Sequence, residues 1–256
     1  MPTFEELIAA GRDSMKSRFR DLKTALPDQR RGIAPPPIQK PIAEGARLVD
    51  LPKPDPDWAL NNDLFRCIRE RRSRRAYLPD PLRMEELAFL LWATQGVEKS
   101  IGNSGATLRT VPSAGARHPF ETYVVAEHVE GLEPGVYRYA PLTHQLAHEF
   151  SEDGIGARVA EAAFGQGFIA QCPVVFVWTC VPYRSEWRYG PAGHKTMLLD
   201  AGHICQNLYL ACEALRLGTC AVAAYDQAAM DASLRLDGVN EYTVYLAPAG
   251  RPNSSE

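Results

Sequence analysis

The stretch "HKTMLLDAGHICQNLYLACEALRLG", His194–Gly218, reads as one long helix stopped by a glycine. Met197, Leu198, Leu199, Ile204, Leu208, Leu210, Leu215 and Leu217 point all round its circumference. A helix that is apolar on every side is buried on every side. In a chain of 256 residues such a helix is the centre of the domain or the centre of a dimer. Gly202 inside it costs about 1 kcal/mol against alanine, which suggests close approach of another backbone. Asp200, His203 and Asn207 share one face at i, i+3 and i+7, and read as a buried hydrogen-bonded stripe that fixes helix packing.

On either side of this helix the chain alternates between strands and shorter helices. "PVVFVWTC" is a continuous apolar run, hence a central strand covered on both faces. "FETYVVAEHV" and "EYTVYLAPAG" are further strands, and "GVYRYAPLTHQLAHEF" is two strands about a turn at Pro141. "NDLFRCIRERR" is a helix with Asn62 or Asp63 as its N-cap. "RMEELAFLLWATQG", "DGIGARVAEAAF" and "DQAAMDASLRL" are also helical, and residues 97–119 read as a loop rich in glycine and serine. The compact domain spans 61–256. Before it, 1–60 hold an amphipathic helix over 3–26 and a proline-rich arm, "PDQRRGIAPPPIQKPIAEGARLVDLPKPDPDW". Proline forbids helix there, and the interspersed Ile, Leu and Val favour an arm wrapped over a surface, its own or a partner's, over a floppy linker.

Composition narrows the function classes. The net charge of −3 gives no whole-chain basic field for nucleic acid. No apolar run reaches the roughly 20 residues of a membrane span, and the N-terminus lacks the apolar core of a signal peptide. The six cysteines form no C-x-x-C, and read as reduced, small core residues of a cytoplasmic protein.

Against this acidic background, "RCIRERRSRRAY" packs six arginines into Arg66–Arg75. One reading is a solvated helix face. The other is a phosphate monoester on a small ligand, since arginine forks with a serine hydroxyl suit that anion. In "TVPSAGARHP", Gly115 and its small neighbours allow backbone N–H groups close to a ligand, and Arg117 adds a cation, although an ordinary surface loop has the same composition. "LRLGTCAVAAY" has small residues after the buried helix, fitting a flat ligand or a tightly packed core strand. His144 and His148 belong to a strand, where positions four apart lie about 13 Å from each other, so they share no metal. No dinucleotide fingerprint, nucleophile elbow or Walker motif is present.

In their order, "RRSRRAY", "LRTVPSAGARHPFETYVV" and "DAGHICQNLYLACEALRLGTC" closely resemble the FMN-dependent nitroreductase superfamily. "LLWATQGV", "PSAGARHP" and "GLEPGVYRYAP" are similar to its SagB-type dehydrogenase branch, some of whose members oxidise azoline rings in modified peptides. The resemblance implies an α+β fold, with a mixed, mostly antiparallel sheet flanked by helices. It also implies a homodimer with the long helix at its centre and FMN at the interface, and the apolar faces of the helix put Leu198, Ile204 and Leu208 into that interface.

By this resemblance, Arg71, Arg72, Ser73 and Arg75 match binders of the FMN phosphate and ribityl chain. Pro112, Ser113, Ala114, Gly115 and Arg117 match the loop lining the flavin. Ala223 and Ala224 match the backbone near flavin N5, and Arg251 is a further candidate for the phosphate. Arg117 or Arg75 would supply the cation that stabilises reduced flavin. NAD(P)H would serve as a transient electron donor in the substrate's own pocket. Azoline-oxidising members typically carry a Lys–Tyr pair where "SEWRYGPAGHK" has Arg188–Tyr189; arginine cannot replace lysine as a general base, Tyr189 is left as a proton donor or positioning group, and the other reading of the pair is that it only shapes a lid. The resemblance therefore implies reduction of nitroaromatics or quinones in preference to azoline oxidation. A flavin-fragmenting enzyme and a non-catalytic FMN-binding scaffold for a peptide-modifying complex are the other readings.

Overall fold

The computed structural model of the chain describes residues 2–24, 26–102 and 105–253. The strands are β1 Leu48–Asp50, β2 Val97–Ser100, β3 Thr107–Arg109, β4 Phe120–Ala126, β5 Gly135–Ala140, β6 Gln145–Phe150, β7 Val174–Cys180, β8 Gly218–Thr219 and β9 Tyr242–Gly250. The α-helices are α1 Phe4–Ser14, α2 Leu64–Glu70, α3 Met84–Gln95, α4 Ile155–Ala162, α5 Tyr183–Tyr189, α6 Gly193–Ala214 and α7 Gln227–Ser233. Seven strands form one sheet in the order β1-β6-β5-β4-β7-β9-β8, with every strand pairing antiparallel. This is the expected α+β architecture.

The apolar run of β7 has the predicted cause. All seven of its residues are buried. Val174, Phe176 and Trp178 join a core with α3 and α6 on one face, while Val175 and Val177 join α4 and α7 on the other. β4 is buried along its whole length for the same reason. The N-cap of α2 is Asp63, whose side chain accepts from the Arg66 amide. All six cysteines are buried free thiols. Among the described residues no helix is long and apolar enough to cross a membrane, and no acidic, His and Cys group could hold a metal.

Three local expectations are corrected. The first helix ends at Ser14 instead of reaching 26; none of its residues is buried, so no packing face extends it. The 97–119 segment contains the β2–β3 hairpin, with β-branched Thr107 buried against the core. The helix 194–217 is not buried all round within one chain. Ile204 and Leu208, expected at a dimer interface, are 3% and 0% exposed inside the protomer's own core. Leu198 and Leu199 are exposed, and a Cβ at Gly202 would meet only open space.

The proline-rich arm wraps its own chain. Its carbonyls face buried cations: Arg184 Nε donates to Pro37 O at 2.9 Å, Arg109 Nη2 to Ile38 O at 3.1 Å, and Arg138 to Lys40 O and Pro41 O at 3.0 Å each. Pro37 and Pro41 have no N–H, so the carbonyl is the one backbone group each can offer. Beneath the arm, Glu121 pairs with Arg184 and Arg138 and accepts from the Lys40 amide at 2.7 Å. Burial alone would raise the Glu121 carboxyl, but the two arginines outweigh it and hold it below the ordinary carboxylate range. Burial likewise lowers Arg109 to about 10.

Candidate functional site

α6 organises two groups of the predicted residues. The first gathers around Tyr209. Its hydroxyl shares a hydrogen bond with Ser73 Oγ at 2.8 Å and accepts from the Ala221 amide at 2.9 Å. The Arg71 guanidinium lies over the Tyr209 ring, 5.0 Å from its centroid. Ser73 bridges to Thr219, and the Arg74 amide donates to Thr219 O. The arginine segment is thus laid beside 219–221, where the chain leaves β8. Glu70, Arg72, Ser73, Arg74 and Arg75 line an open cleft of about 640 Å³. Arg72 is exposed, with Nη1 donating to the carbonyls of Arg69 and Arg71. Ala223 and Ala224 are exposed, and Gln166 donates to Ala224 O at 3.0 Å. The carbonyl of Arg251 accepts from the Leu78 amide just after the arginine segment, while its Nη2 donates to both oxygens of buried Glu86, at 2.9 and 3.0 Å.

The second group gathers around the loop 110–118. Buried Asp200 accepts from Ser113 Oγ at 2.6 Å and from the Ala114 amide at 3.2 Å. Burial raises the Asp200 carboxyl, and these two donors act against that rise. Asn207 Nδ2 donates to Ala93 O and Thr110 O. Two members of the expected stripe therefore fix the loop, whereas His203 is exposed. Pro112 leads into the turn, and Gly115 adopts φ +60°, a left-handed conformation that favours glycine. A Cβ at Gly115 would overlap the Tyr189 hydroxyl and lie 3.0 Å from Arg188 Nε. The loop and the Arg188–Tyr189 pair, 73 residues apart in sequence, are therefore in contact.

Arg117 is 1% exposed. Its Nε donates to Arg184 O at 2.9 Å, its Nη1 to Gly105 O at 2.5 Å, and its plane lies 4.7 Å from the centroid of Trp187. It braces the loop against α5. His118 is kept neutral, since burial lowers it to about 3 while Nε2 bonds Thr107 O. Sequence reading missed Tyr209 and Trp187. Both are large aromatics in helical stretches, indistinguishable there from ordinary core residues.

The two groups leave α6 on opposite sides. Asp200 and Tyr209 are nine residues apart, about two and a half turns and roughly 13 Å along the axis. Between them runs the exposed strip of Leu199, Gly202, His203 and Gln206.

The chain belongs to the nitroreductase family, whose model matches residues 68–251. It is an oxidoreductase by that membership. Over 182 residues it is 37% identical to a Methanocaldococcus jannaschii protein provisionally named a nitroreductase, covering 71% of this chain and 87% of that one. It is 32% identical over 170 residues to the trifolitoxin-processing protein TfxB of Rhizobium leguminosarum bv. trifolii, covering 64% of this chain. That match spans 46% of TfxB, under half its length. In fold the chain is similar to one chain of the Escherichia coli microcin synthetase McbBCD complex, solved with truncated pro-MccB17 bound. The TM-score is 0.63 at 16% identity, over 98% of this chain and 95% of that one.

Proposed function

We propose that this chain is an FMN-dependent oxidoreductase that works as a homodimer and takes electrons from NAD(P)H to reduce nitroaromatic or quinone-like substrates. The observation that carries the reading is the attachment of the two groups to opposite sides of α6. A ligand touching both within one chain would have to cross the exposed strip between them. If that strip packs on its copy, the loop of one protomer comes beside the arginine segment of the other. The exposed Leu198 and Leu199 on or beside the strip support such packing.

The residues present fit FMN. Arg72, Ser73 and Arg75 bring guanidinium and hydroxyl groups to an open cleft, and Arg71 lies over the neighbouring Tyr209 ring, chemistry suited to a phosphate monoester. Among the described residues the amides of Ala223 and Ala224 donate to no protein group, which leaves them for a flat ligand. Gly115 keeps the loop free of side-chain bulk where it meets Arg188 and Tyr189. Bound there, FMN would supply hydride transfer through N5. The chain's own part is to hold the phosphate, present backbone donors and shape the substrate wall with Tyr189. Arg188 is a hydrogen-bond donor and a cation, suited to orienting an anionic or carbonyl oxygen and unsuited to removing a proton.

Dehydrogenation of a peptide-derived substrate is the second reading, favoured by the trifolitoxin-processing relative. Purified protein is expected to be yellow and to release FMN, not FAD, on denaturation. Arg71→Ala with Arg75→Ala is expected to lose most of it, each charge-assisted contact contributing about 1.5–3 kcal/mol. Anaerobic titration with NAD(P)H should then bleach the flavin. A colourless protein that cannot be reconstituted with FMN refutes the reading, and a flavin that no donor bleaches leaves only the scaffold.

A further inference from the structure

α5 is only seven residues long and is followed by Gly190, at φ +48°, immediately after Tyr189. Two turns of helix do not hold themselves in water, so the direction of Arg188 and Tyr189 is set by what packs on α5. On one side is the loop brace, Arg117. On the other is the N-terminal segment. Tyr183 OH donates to Asp28 at 2.8 Å, Trp187 Nε1 to Ile33 O at 2.9 Å and Arg184 Nε to Pro37 O at 2.9 Å. The Phe19 ring meets Tyr189 edge-on at 5.6 Å.

Trp187 contacts both sides. Its ring carries the Arg117 guanidinium and its N–H reaches the arm, while the side chain is 5% exposed. It is also the residue immediately before Arg188.

We propose that Trp187 is a positioning residue: its hydrogen bond to Ile33 O and its stack with Arg117 fix the angle at which Arg188 and Tyr189 meet the loop at Gly115. The N-terminal segment is thereby part of the substrate site. The proposal rests on the oxidoreductase reading for its kinetic consequence, and on α5 geometry alone for its structural one.

Trp187→Phe tests it, because phenylalanine keeps an aromatic ring for Arg117 and removes the N–H, together with one ring of the indole. Trp187 and Ile33 lie outside both core clusters, so folding is expected to survive. In the full chain, with and without FMN, amide exchange at 187–190 should quicken by at least about 2- to 13-fold, the range for the lost hydrogen bond alone. Exchange in the centre of α6 should stay unchanged. With FMN content equal to the parent, kcat/KM for a quinone should fall, and the fall should be smaller in a Tyr189→Phe background.

Unchanged exchange at 187–190 overturns the proposal. So does a kinetic loss that simply multiplies with that of Tyr189→Phe. If no donor reduces the flavin of the parent protein, the oxidoreductase reading fails by itself, and exchange still decides whether Trp187 sets α5.

Discussion

Replacing Glu121 by glutamine tests the buried centre that joins the arm to α5. The carboxylate is 3% exposed, pairs with Arg184 and Arg138, and accepts from the Lys40 amide. Glutamine keeps the shape and one acceptor oxygen but removes the charge. Arg184 and Arg138, each 2% exposed, would then lose their shared counter-charge; Arg138 keeps Glu149 at 2.8 Å, so the uncompensated charge falls on Arg184. Breaking a buried pair from one side costs roughly 3–5 kcal/mol, because the remaining charge stays desolvated. For a chain of this size each kcal/mol moves Tm by about 2–4 °C, so the expected drop is roughly 6–20 °C.

The sign with pH follows from the depressed carboxyl. Its contribution is fully present above the ordinary unfolded carboxylate range, and is lost as pH falls through the lower folded value. The assay is thermal unfolding of Glu121→Gln and parent at fixed protein concentration across pH 3–7, with limited proteolysis of the 28–47 arm alongside. The gap between the two should be widest at neutral pH and narrow in acid, and the arm of the variant should be cut faster. A neutral-pH drop below about 2 °C, or a gap that widens in acid, refutes the reasoning.

Gly115→Ala should strain the loop at φ +60°, a left-handed cost of about 1–2 kcal/mol, and push Tyr189 away, so steady-state turnover should fall more than FMN content. Leu199→Arg places a charge on the free strip of α6. If two copies meet there, self-association measured by sedimentation should weaken by on the order of a hundredfold or more, and flavin should be lost with it. Thiazoline oxidation by the parent protein should be weak beside NAD(P)H-driven quinone reduction. Arg188→Lys should raise the former relative to the latter, and efficient oxidation by the parent, undiminished in Tyr189→Phe, would refute the role given to the pair.

Much of the fold could be read locally. The run in β7, the strands of 120–126 and 242–250, and the long helix follow from apolar patterning, which records burial directly. The arginine segment and the glycine loop were recognisable because charge density and small residues are visible without neighbours. Other features depended on which residues meet in space. Ile204 and Leu208 look the same in sequence whether they face a dimer partner or their own sheet, and only packing assigned them to the protomer core. Tyr209 gained its role from lying where Ser73 and Ala221 converge. The arm chose its own chain because Arg109, Arg138 and Arg184, drawn from separate strands and helices, assemble donors for its carbonyls. Sequence determines which groups each residue carries. Hydrogen-bond satisfaction of buried groups is a property of pairs, and the fold alone brings those pairs together.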